Sequence, residues 1–168
     1  MAKIPGALKA RIVAAFGGGA LGIAAAMLGG HSGLEGQVND PYRDVVGVLT
    51  VCNGITGPDV IPGKHYLDSE CDLLLTKHLT ATAKEINPYI TAPVPATTRA
   101  ALYSFAYNVG AKSFETSTLL RLLNRGERRA ACDQLGRWVY AGGRRYKGLE
   151  RRRAIERDVC LADRVSDL

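Results

Sequence analysis

The chain has 168 residues, of which 46% are hydrophobic and 23% are charged, a composition that suits one globular domain able to bury its own core. It contains no internal repeat, low-complexity tail or interdomain linker, which excludes repeat arrays and strings of domains. The formal net charge of +6 is compatible with a polyanionic partner.

An uncharged segment lies near the N-terminus. No Asp, Glu, Lys or Arg occurs in residues 12–34, and residues 12–30 provide 19 mostly apolar positions. As a helix this stretch is about 28 Å long, just enough to cross a bilayer. Ala and Gly dominate it, so the segment could enter a membrane and also leave it. Because Lys3, Lys9 and Arg11 precede it without a compensating acid, the positive-inside rule places the N-terminus in the cytoplasm.

Three interpretations of this segment are open. It is a releasable membrane anchor, a signal peptide cleaved after small residues such as those at positions 24–26, or a buried helix of a soluble protein. We favour the releasable anchor. This interpretation divides the chain into an anchor segment, residues 1–30, and a folded domain, residues 31–168, that lies on the periplasmic side.

A small antiparallel β region is predicted for residues 41–57. β-Branched residues stand there among glycines, which favours short strands and tight turns. The β-branched residues are Val45, Val46, Val48, Thr50 and Val51.

The rest of the chain predicts helices. The first is capped by Asp68 or Ser69 and ends at Asn87, where a proline follows. The second starts at Thr97, continues through Tyr107 and is ended by Gly110, and the third is capped by Ser117 and ends at residues 124–126. A fourth carries Trp138 inward and ends at residues 142–143, and the last spans about residues 150–162. The pattern predicts an α+β fold, mostly helical with one small sheet.

Four cysteines follow the apolar segment: Cys52, Cys71, Cys132 and Cys160. None forms a C-x-x-C pair, which argues against a zinc site and against thioredoxin chemistry. In an oxidising periplasm an even number of cysteines favours disulfides. Three pairings are possible, and we favour Cys52 with Cys71 and Cys132 with Cys160 because each links neighbouring elements. Four buried free thiols are the alternative.

Candidate catalytic residues stand at the start of the β region. Glu35 is followed after eight residues by Asp44 and after five more by Thr50. Cleavage of a glycosidic bond needs one carboxylic acid to protonate the leaving oxygen and a second acidic group on the opposite side of the sugar. Spacing alone is weak evidence in a chain with 16 acidic residues, so the surrounding residues decide.

Those surroundings resemble a known family. Residues 42–54 follow the run Y-x-D-x-x-G-x-x-T-x-x-x-G of the T4-type phage lysozymes, or endolysins, and Glu35 precedes the run at the family's interval. Residues 101–110, 117–127 and 132–156 are similar to the helical lobe of the same enzymes, particularly those of lambdoid phages. The resemblance implies a lysozyme-like α+β fold, with a mostly helical lobe, a small antiparallel β region and an N-terminal apolar helix.

The resemblance also implies a reaction and its residues. Glu35 would be the general acid, Asp44 the base or stabiliser, and Thr50 the holder of the attacking water. The implied reaction is hydrolysis, with inversion, of the β-1,4 bond between N-acetylmuramic acid and N-acetylglucosamine in peptidoglycan. No cofactor or metal is implied, and no histidine has metal-ligand spacing. The chain departs from the family at Ile55, where a His that forms an ion pair is common.

The apolar segment is similar to the signal-anchor-release segment of a lambdoid endolysin subgroup. We therefore expect the partners to be peptidoglycan glycan strands and, through residues 12–30, the bacterial inner membrane. We expect a monomer that is released to the periplasm when a holin-type protein depolarises the membrane.

Two rival functions remain. The first is a non-catalytic, membrane-tethered protein that binds peptidoglycan. The second takes residues 121–164, with 13 Lys or Arg against 6 Asp or Glu, as a nucleic-acid-binding surface. Export argues against nucleic acid as a partner, and a solvated helix face explains much of this charge.

Overall fold

The computed structural model describes residues 4–44, 47–164 and 167–168, so the expectations for Lys3, Val45 and Val46 lie outside the described residues. Its helices are α1 Gly6–Ala14, α2 Gly19–Leu28, α3 Asp68–Ile86, α4 Ala96–Val109, α5 Ala111–Glu115, α6 Thr118–Asn124, α7 Arg128–Asp133 and α8 Lys147–Leu161. Its strands are β1 Val38–Arg43, β2 Leu49–Cys52, β3 Ile55–Thr56, β4 Tyr140–Ala141 and β5 Arg144–Arg145.

The main hydrophobic core lies between α2, α4 and α8, with α3, α6 and α7 around them. Helix α4 is its centre, because nine consecutive or near-consecutive positions from Thr97 to Ala106 are buried. A helix that is apolar on nearly all sides must be surrounded by others, which explains why α2 packs on one side of α4 and α8 on another. The fold is the mostly helical α+β architecture that the sequence predicts.

The apolar N-terminal segment is broken and lies in this core. Helices α1 and α2 meet at 51°, across a 3-10 turn at Phe16–Gly18. A side chain at Gly22 would place its Cβ 2.9 Å from the Ala15 carbonyl oxygen, so glycine permits the close approach. Ile23 and Met27 are fully buried. Across the described part of the chain no single helix is long and apolar enough to cross a membrane, although this bent pair together meets the criteria of length and composition.

The small sheet has the order β1-β2-β3 and is antiparallel throughout. Thr50 of β2 pairs with Tyr42 of β1 on one side and with Thr56 of β3 on the other, and the register shifts between Val38 and Tyr42. A second, smaller core lies beneath this sheet and contains Val51, Ile55, Val60, Tyr66 and Cys71. The predicted β region is confirmed within the described residues.

Both favoured disulfides are confirmed. Cys52 and Cys71 are bonded with a Cα separation of 5.2 Å, which ties β2 to α3. Cys132 and Cys160 are bonded with a Cα separation of 5.8 Å, which ties α7 to α8. The expectation that each bond links neighbouring elements is therefore correct.

Most predicted helices are confirmed with ends shifted by a few residues, and Ser117 caps α6 by accepting a hydrogen bond from the Leu120 amide. The predicted cap of α3 at Asp68 or Ser69 is wrong, because the cap is Leu67, whose amide donates to the Glu70 side chain. The single helix predicted to carry Trp138 and end at residues 142–143 is wrong. The chain there forms α7, a 3-10 turn at Gln134–Arg137 and the hairpin β4-β5. Gly142 and Gly143 both have positive φ, which suits the two-residue hairpin turn between these strands.

Helix α2 is expected to contribute to the stability of the folded protein. Met27→Ala should lower the free energy of unfolding by about 2–5 kcal/mol, because it removes a fully buried side chain from the main core. Leu21→Ala, on the same helix but 38% exposed, should cost only about 0.5 kcal/mol. Denaturant unfolding of the purified variants measures both values. Equal effects would contradict the packing of α2 in the core.

Candidate active site

Glu35 closes the turn that follows α2. The Leu34 amide donates to the Met27 carbonyl at 2.8 Å and the Glu35 amide donates to the Leu28 carbonyl at 3.4 Å, so the turn folds back over the end of the helix. The Glu35 side chain is 18% exposed, and its Oε1 accepts from Arg152 Nη1 at 2.5 Å. The predicted acid is thus attached to the helical lobe through a residue 117 positions later in the chain.

Arg152 is the centre of a buried polar cluster. Its Nε donates to Glu156 Oε1 at 2.9 Å and its Nη2 donates to the Ser104 carbonyl at 3.0 Å. The Ser104 hydroxyl donates to the same Glu156 oxygen at 2.7 Å, and Arg153 Nη1 forms an ion pair with the other. The side chains of Arg152, Arg153 and Glu156 are 5%, 1% and 0% exposed.

The electrostatics of this cluster depend on Glu156. Burial opposes the charged form of Arg152, but the negative charges of Glu156 and Glu35 outweigh it and raise the pKa of its guanidinium. Burial lowers the pKa of Arg153, and Glu156 offsets only part of that effect. Arg153 has further partners, because it donates to Asn108 and lies 4.9 Å from the centre of the Phe105 ring. Removing Glu156 would leave two buried cations with too little negative charge.

This cluster was not predicted from the sequence, where Arg152 and Arg153 counted only among the charges of a solvated or nucleic-acid-binding face; both side chains are buried instead. Both side chains point into the helical lobe because Glu156 lies three and four residues further along α8. That spacing places acid and base on one helix face, so it was a readable signal. The contact with Glu35 had no local signal.

Asp44 and Thr50 meet at the backbone of Val48. Asp44 Oδ1 accepts from the Val48 amide at 2.8 Å, and the Thr50 hydroxyl donates to the Val48 carbonyl at 3.0 Å. Asp44 lies just after β1, and Thr50 lies in β2 with only 4% exposure. The structure therefore brings these two predicted residues to the same end of the sheet.

Glu35 approaches the sheet at the other end of β2. Gly54 follows β2 with a φ of +79°, and a Cβ there would lie 3.6 Å from Glu35 Oε2. Asn53 Nδ2 donates to the Gly36 carbonyl, and the Tyr107 hydroxyl donates to the Asn53 carbonyl at 3.0 Å. Thr50 thus lies on the strand between the positions of the two predicted carboxylates.

Tyr107 joins the helical lobe to the sheet at this point. Burial raises the pKa of its hydroxyl, and the negative charge of Glu35 raises it further. Tyr107 therefore keeps its proton and remains the donor to Asn53.

Ile55, where the sequence departs from the family that it resembles, is 1% exposed and packs in the smaller core. Nearby, hydrogen bonds from Lys77 and His78 lower the pKa of Asp59. Within the described ranges no group of three or more His, Cys, Asp or Glu could hold a metal ion.

The sequence matches a known family model and named relatives. The phage lysozyme family model matches residues 32–156. A protein of Bacteriophage PS119 named SAR-endolysin is 57% identical over 164 residues, which cover 96% of this chain and 98% of the relative. A protein of Escherichia phage Mu with the same name is 41% identical over 158 residues, covering 93% of this chain and 92% of the relative.

Solved structures of phage endolysin and muramidase domains are also similar to this chain. The active form of the P1 phage endolysin Lyz superposes with a TM-score of 0.75 at 28% identity and covers 92% of both chains. The muramidase domain of SpmX from Asticaccaulis excentricus superposes with a TM-score of 0.74 at 25% identity, covering 83% of this chain and 95% of that domain.

The buried cluster should dominate the stability of the helical lobe. Glu156→Gln should lower the free energy of unfolding by about 3–5 kcal/mol, because it leaves buried guanidinium charge uncompensated. The control is Glu150→Gln on the same helix, whose ion pair with Arg145 is exposed and should contribute about 0–1 kcal/mol. Denaturant unfolding checks both variants, and a Glu156→Gln protein as stable as the control would contradict the role of the cluster.

Proposed function

Because the chain belongs to the phage lysozyme family, we propose that Glu35, Asp44 and Thr50 make it a muramidase acting on bacterial peptidoglycan. The enzyme hydrolyses the β-1,4 bond between N-acetylmuramic acid and N-acetylglucosamine during host lysis. The observation that carries the proposal is the placement of Glu35. The ion pair with Arg152 holds Glu35 against the helical lobe. There the carboxylate lies next to Gly54, in the turn that follows β2, the strand of Thr50.

Each residue has a role that its surroundings support. The Glu35 side chain is mostly buried but 18% exposed, so it can reach the sugar oxygen to which it passes a proton. Asp44, at the far end of β2, is the base or the stabiliser of developing positive charge. The Thr50 hydroxyl already donates its proton to Val48, so its lone pairs are available to accept a hydrogen bond from the attacking water. We propose inversion, as the resemblance implies.

Glu35→Gln tests the catalytic assignment. The amide keeps the shape of the side chain but cannot donate the proton, so wall hydrolysis should fall by roughly a hundredfold to ten-thousandfold. The measurement is the clearing of permeabilised Gram-negative cells, together with the release of soluble muropeptides. Glu85→Gln, which changes an exposed carboxylate of α3, should leave the rate unchanged.

Two outcomes would count against the proposal. Near-normal clearing by a folded Glu35→Gln protein would remove Glu35 from the mechanism. Wild-type protein that binds walls but releases no muropeptides would favour the non-catalytic binding protein.

We further propose that residues 12–30 anchor the enzyme in the inner membrane, with the N-terminus in the cytoplasm, before release to the periplasm. The name SAR-endolysin of the relatives supports this. So does the composition of the segment, because the bent pair α1 and α2 meets the length and apolarity required of a span. The same side chains, such as Ile23 and Met27, fill the core of the released enzyme. On release, these side chains therefore move from lipid into the core of the protein.

The trigger that we propose is depolarisation by a holin-type protein. A positive charge at the cytoplasmic end of the segment is held there by the membrane potential, at about 2.3 kcal/mol per charge per 100 mV. Loss of the potential removes this restraint. We propose that the released enzyme is a monomer and that it has no nucleic-acid partner.

Leucine at Gly17 and Gly18 tests the anchor. A Cβ at either position meets nothing within 4 Å, so the released fold accommodates the change. Each leucine should raise the cost of leaving lipid by roughly 1.5–3 kcal/mol. The Gly17→Leu, Gly18→Leu protein should therefore stay in the membrane fraction after depolarisation and delay lysis, although the detergent-extracted protein hydrolyses walls normally.

Gly22→Leu is the contrasting variant. Its side chain would meet the Ala15 carbonyl, so it should impair both release and the activity of the extracted enzyme. Wild-type lysis timing in the double leucine variant would contradict the anchor. An N-terminus cut after Ala26 in purified wild-type enzyme would instead indicate an ordinary signal peptide.

A further inference from the structure

Arg11 makes a contact that the proposed catalytic roles do not use. It is the last charged residue before the apolar segment, and its side chain extends from α1 to the residue that follows α2. Its Nη1 donates to the Gly29 carbonyl at 2.5 Å and to the Ser32 hydroxyl at 3.3 Å. A cation at a helix C-terminus satisfies an unpaired carbonyl and opposes the negative end of the helix dipole.

Two glycines form the surface on which the guanidinium lies. A Cβ at Gly30 would be 3.2 Å from Arg11 Nη1 and 3.4 Å from its Cζ, and Gly30 has a φ of +65°. A Cβ at Gly29 would be 2.8 Å from Leu75 Cδ2 and 3.5 Å from Arg11 Nη2. A side chain at Gly30 would therefore crowd the guanidinium, whereas one at Gly29 would collide with Leu75.

This contact holds the start of the turn that ends in Glu35. Gly33 donates to the Gly30 carbonyl at 3.1 Å, and Leu34 and Glu35 donate to carbonyls in the last turn of α2. Glu35 lies six positions after Gly29, and the backbone bonds donated by Gly33, Leu34 and Glu35 close the turn between them. A displacement at Gly29 would therefore reach the Glu35 carboxylate and its bond to Arg152.

The contact is incompatible with a straight membrane helix. Arg11 and Gly29 are 18 residues apart, so in one continuous helix their backbones would be separated by about 27 Å. In the folded protein, the Arg11 side chain donates to the Gly29 carbonyl. The contact forms only after α1 and α2 bend against each other and Arg11 reaches the side of the membrane where Glu35 lies.

We propose that Arg11 is a positioning residue for Glu35 that acts only after it has crossed the bilayer. Before release, its charge holds the N-terminus on the cytoplasmic side. After release, its guanidinium joins α1 to the end of α2 and holds the catalytic turn in place. The crossing rests on the membrane anchor proposed above, whereas the positioning of Glu35 is a property of the released enzyme alone.

The positioning role is tested on purified, released full-length enzyme with Arg11→Gln, Arg11→Lys and Lys9→Gln. Lys9→Gln removes the same charge from the same helix, and Lys9 lies outside the Gly29 contact. Arg11→Gln should lower kcat by roughly tenfold to a hundredfold with KM within about twofold, because misplacement of a catalytic group affects the chemical step. Arg11→Lys, which still donates to the Gly29 carbonyl, should recover part of the loss, and Lys9→Gln should match the wild type.

Chemical rescue provides a second measurement. Millimolar guanidinium should partly restore kcat of Arg11→Ala and should leave Lys9→Ala and Glu35→Gln unchanged. If Arg11→Gln does not fold, Arg11→Lys and the rescue decide the question. Wild-type kcat in Arg11→Gln, or loss confined to KM, would overturn the positioning role while leaving the muramidase proposal intact. Inactivity of the wild-type enzyme would instead refute the muramidase proposal.

The crossing is tested in cells with Ala10→Cys, an exposed neighbour of Arg11, since all four native cysteines are paired. A membrane-impermeant thiol reagent admitted to the periplasm should label this cysteine only after depolarisation. Labelling before depolarisation, or none after release, would overturn the crossing.

Discussion

The burial of the Arg152 guanidinium is the constraint on which the active site depends. A buried cation needs opposite charge and several hydrogen-bond acceptors, and here Glu156, Glu35 and the Ser104 carbonyl provide them. Glu35 is therefore both the proposed catalytic acid and part of the charge balance of the helical lobe. Its position follows from the packing of α8 against α4, so the lobe must be assembled before the acid is held in place.

In the anchor-and-release proposal, the apolar segment must satisfy two environments with one set of residues. Lipid requires an uncharged stretch of sufficient length, and the core requires that Ile23 and Met27 be buried while the chain bends at Phe16–Gly18. Small residues reconcile these demands, because Gly22 permits close approach in the fold and adds little to lipid affinity. Leucine at Gly22 would hold the membrane more tightly and pack less well in the enzyme, because its side chain would meet the Ala15 carbonyl.

The β region holds the opposite side of the site with few residues. Its three short strands enclose only a small core, and the Cys52–Cys71 disulfide ties β2 to α3. The Val48 amide donates to Asp44 and the Val48 carbonyl accepts from the Thr50 hydroxyl, so the backbone of one residue orients both side chains. Just after β2, the Asn53 carbonyl accepts from the Tyr107 hydroxyl, and the Asn53 side chain donates to the Gly36 carbonyl. These two bonds connect the sheet to the helical lobe and to the turn that carries Glu35.

The sequence by itself determined the features that depend on neighbouring residues or on a literal motif. These include the Ser117 cap of α6, the approximate ends of α3 and α4, the small sheet, the apolar segment and the candidates Glu35, Asp44 and Thr50, whose roles remain predictions. The two disulfides were favoured on the same basis. The tertiary structure alone decided the break of the helix near Trp138, the burial of Arg152 against Glu35 and the contact of Arg11 with Gly29. Those contacts join residues 117 and 18 positions apart, and no local pattern specifies them because they depend on how whole helices pack.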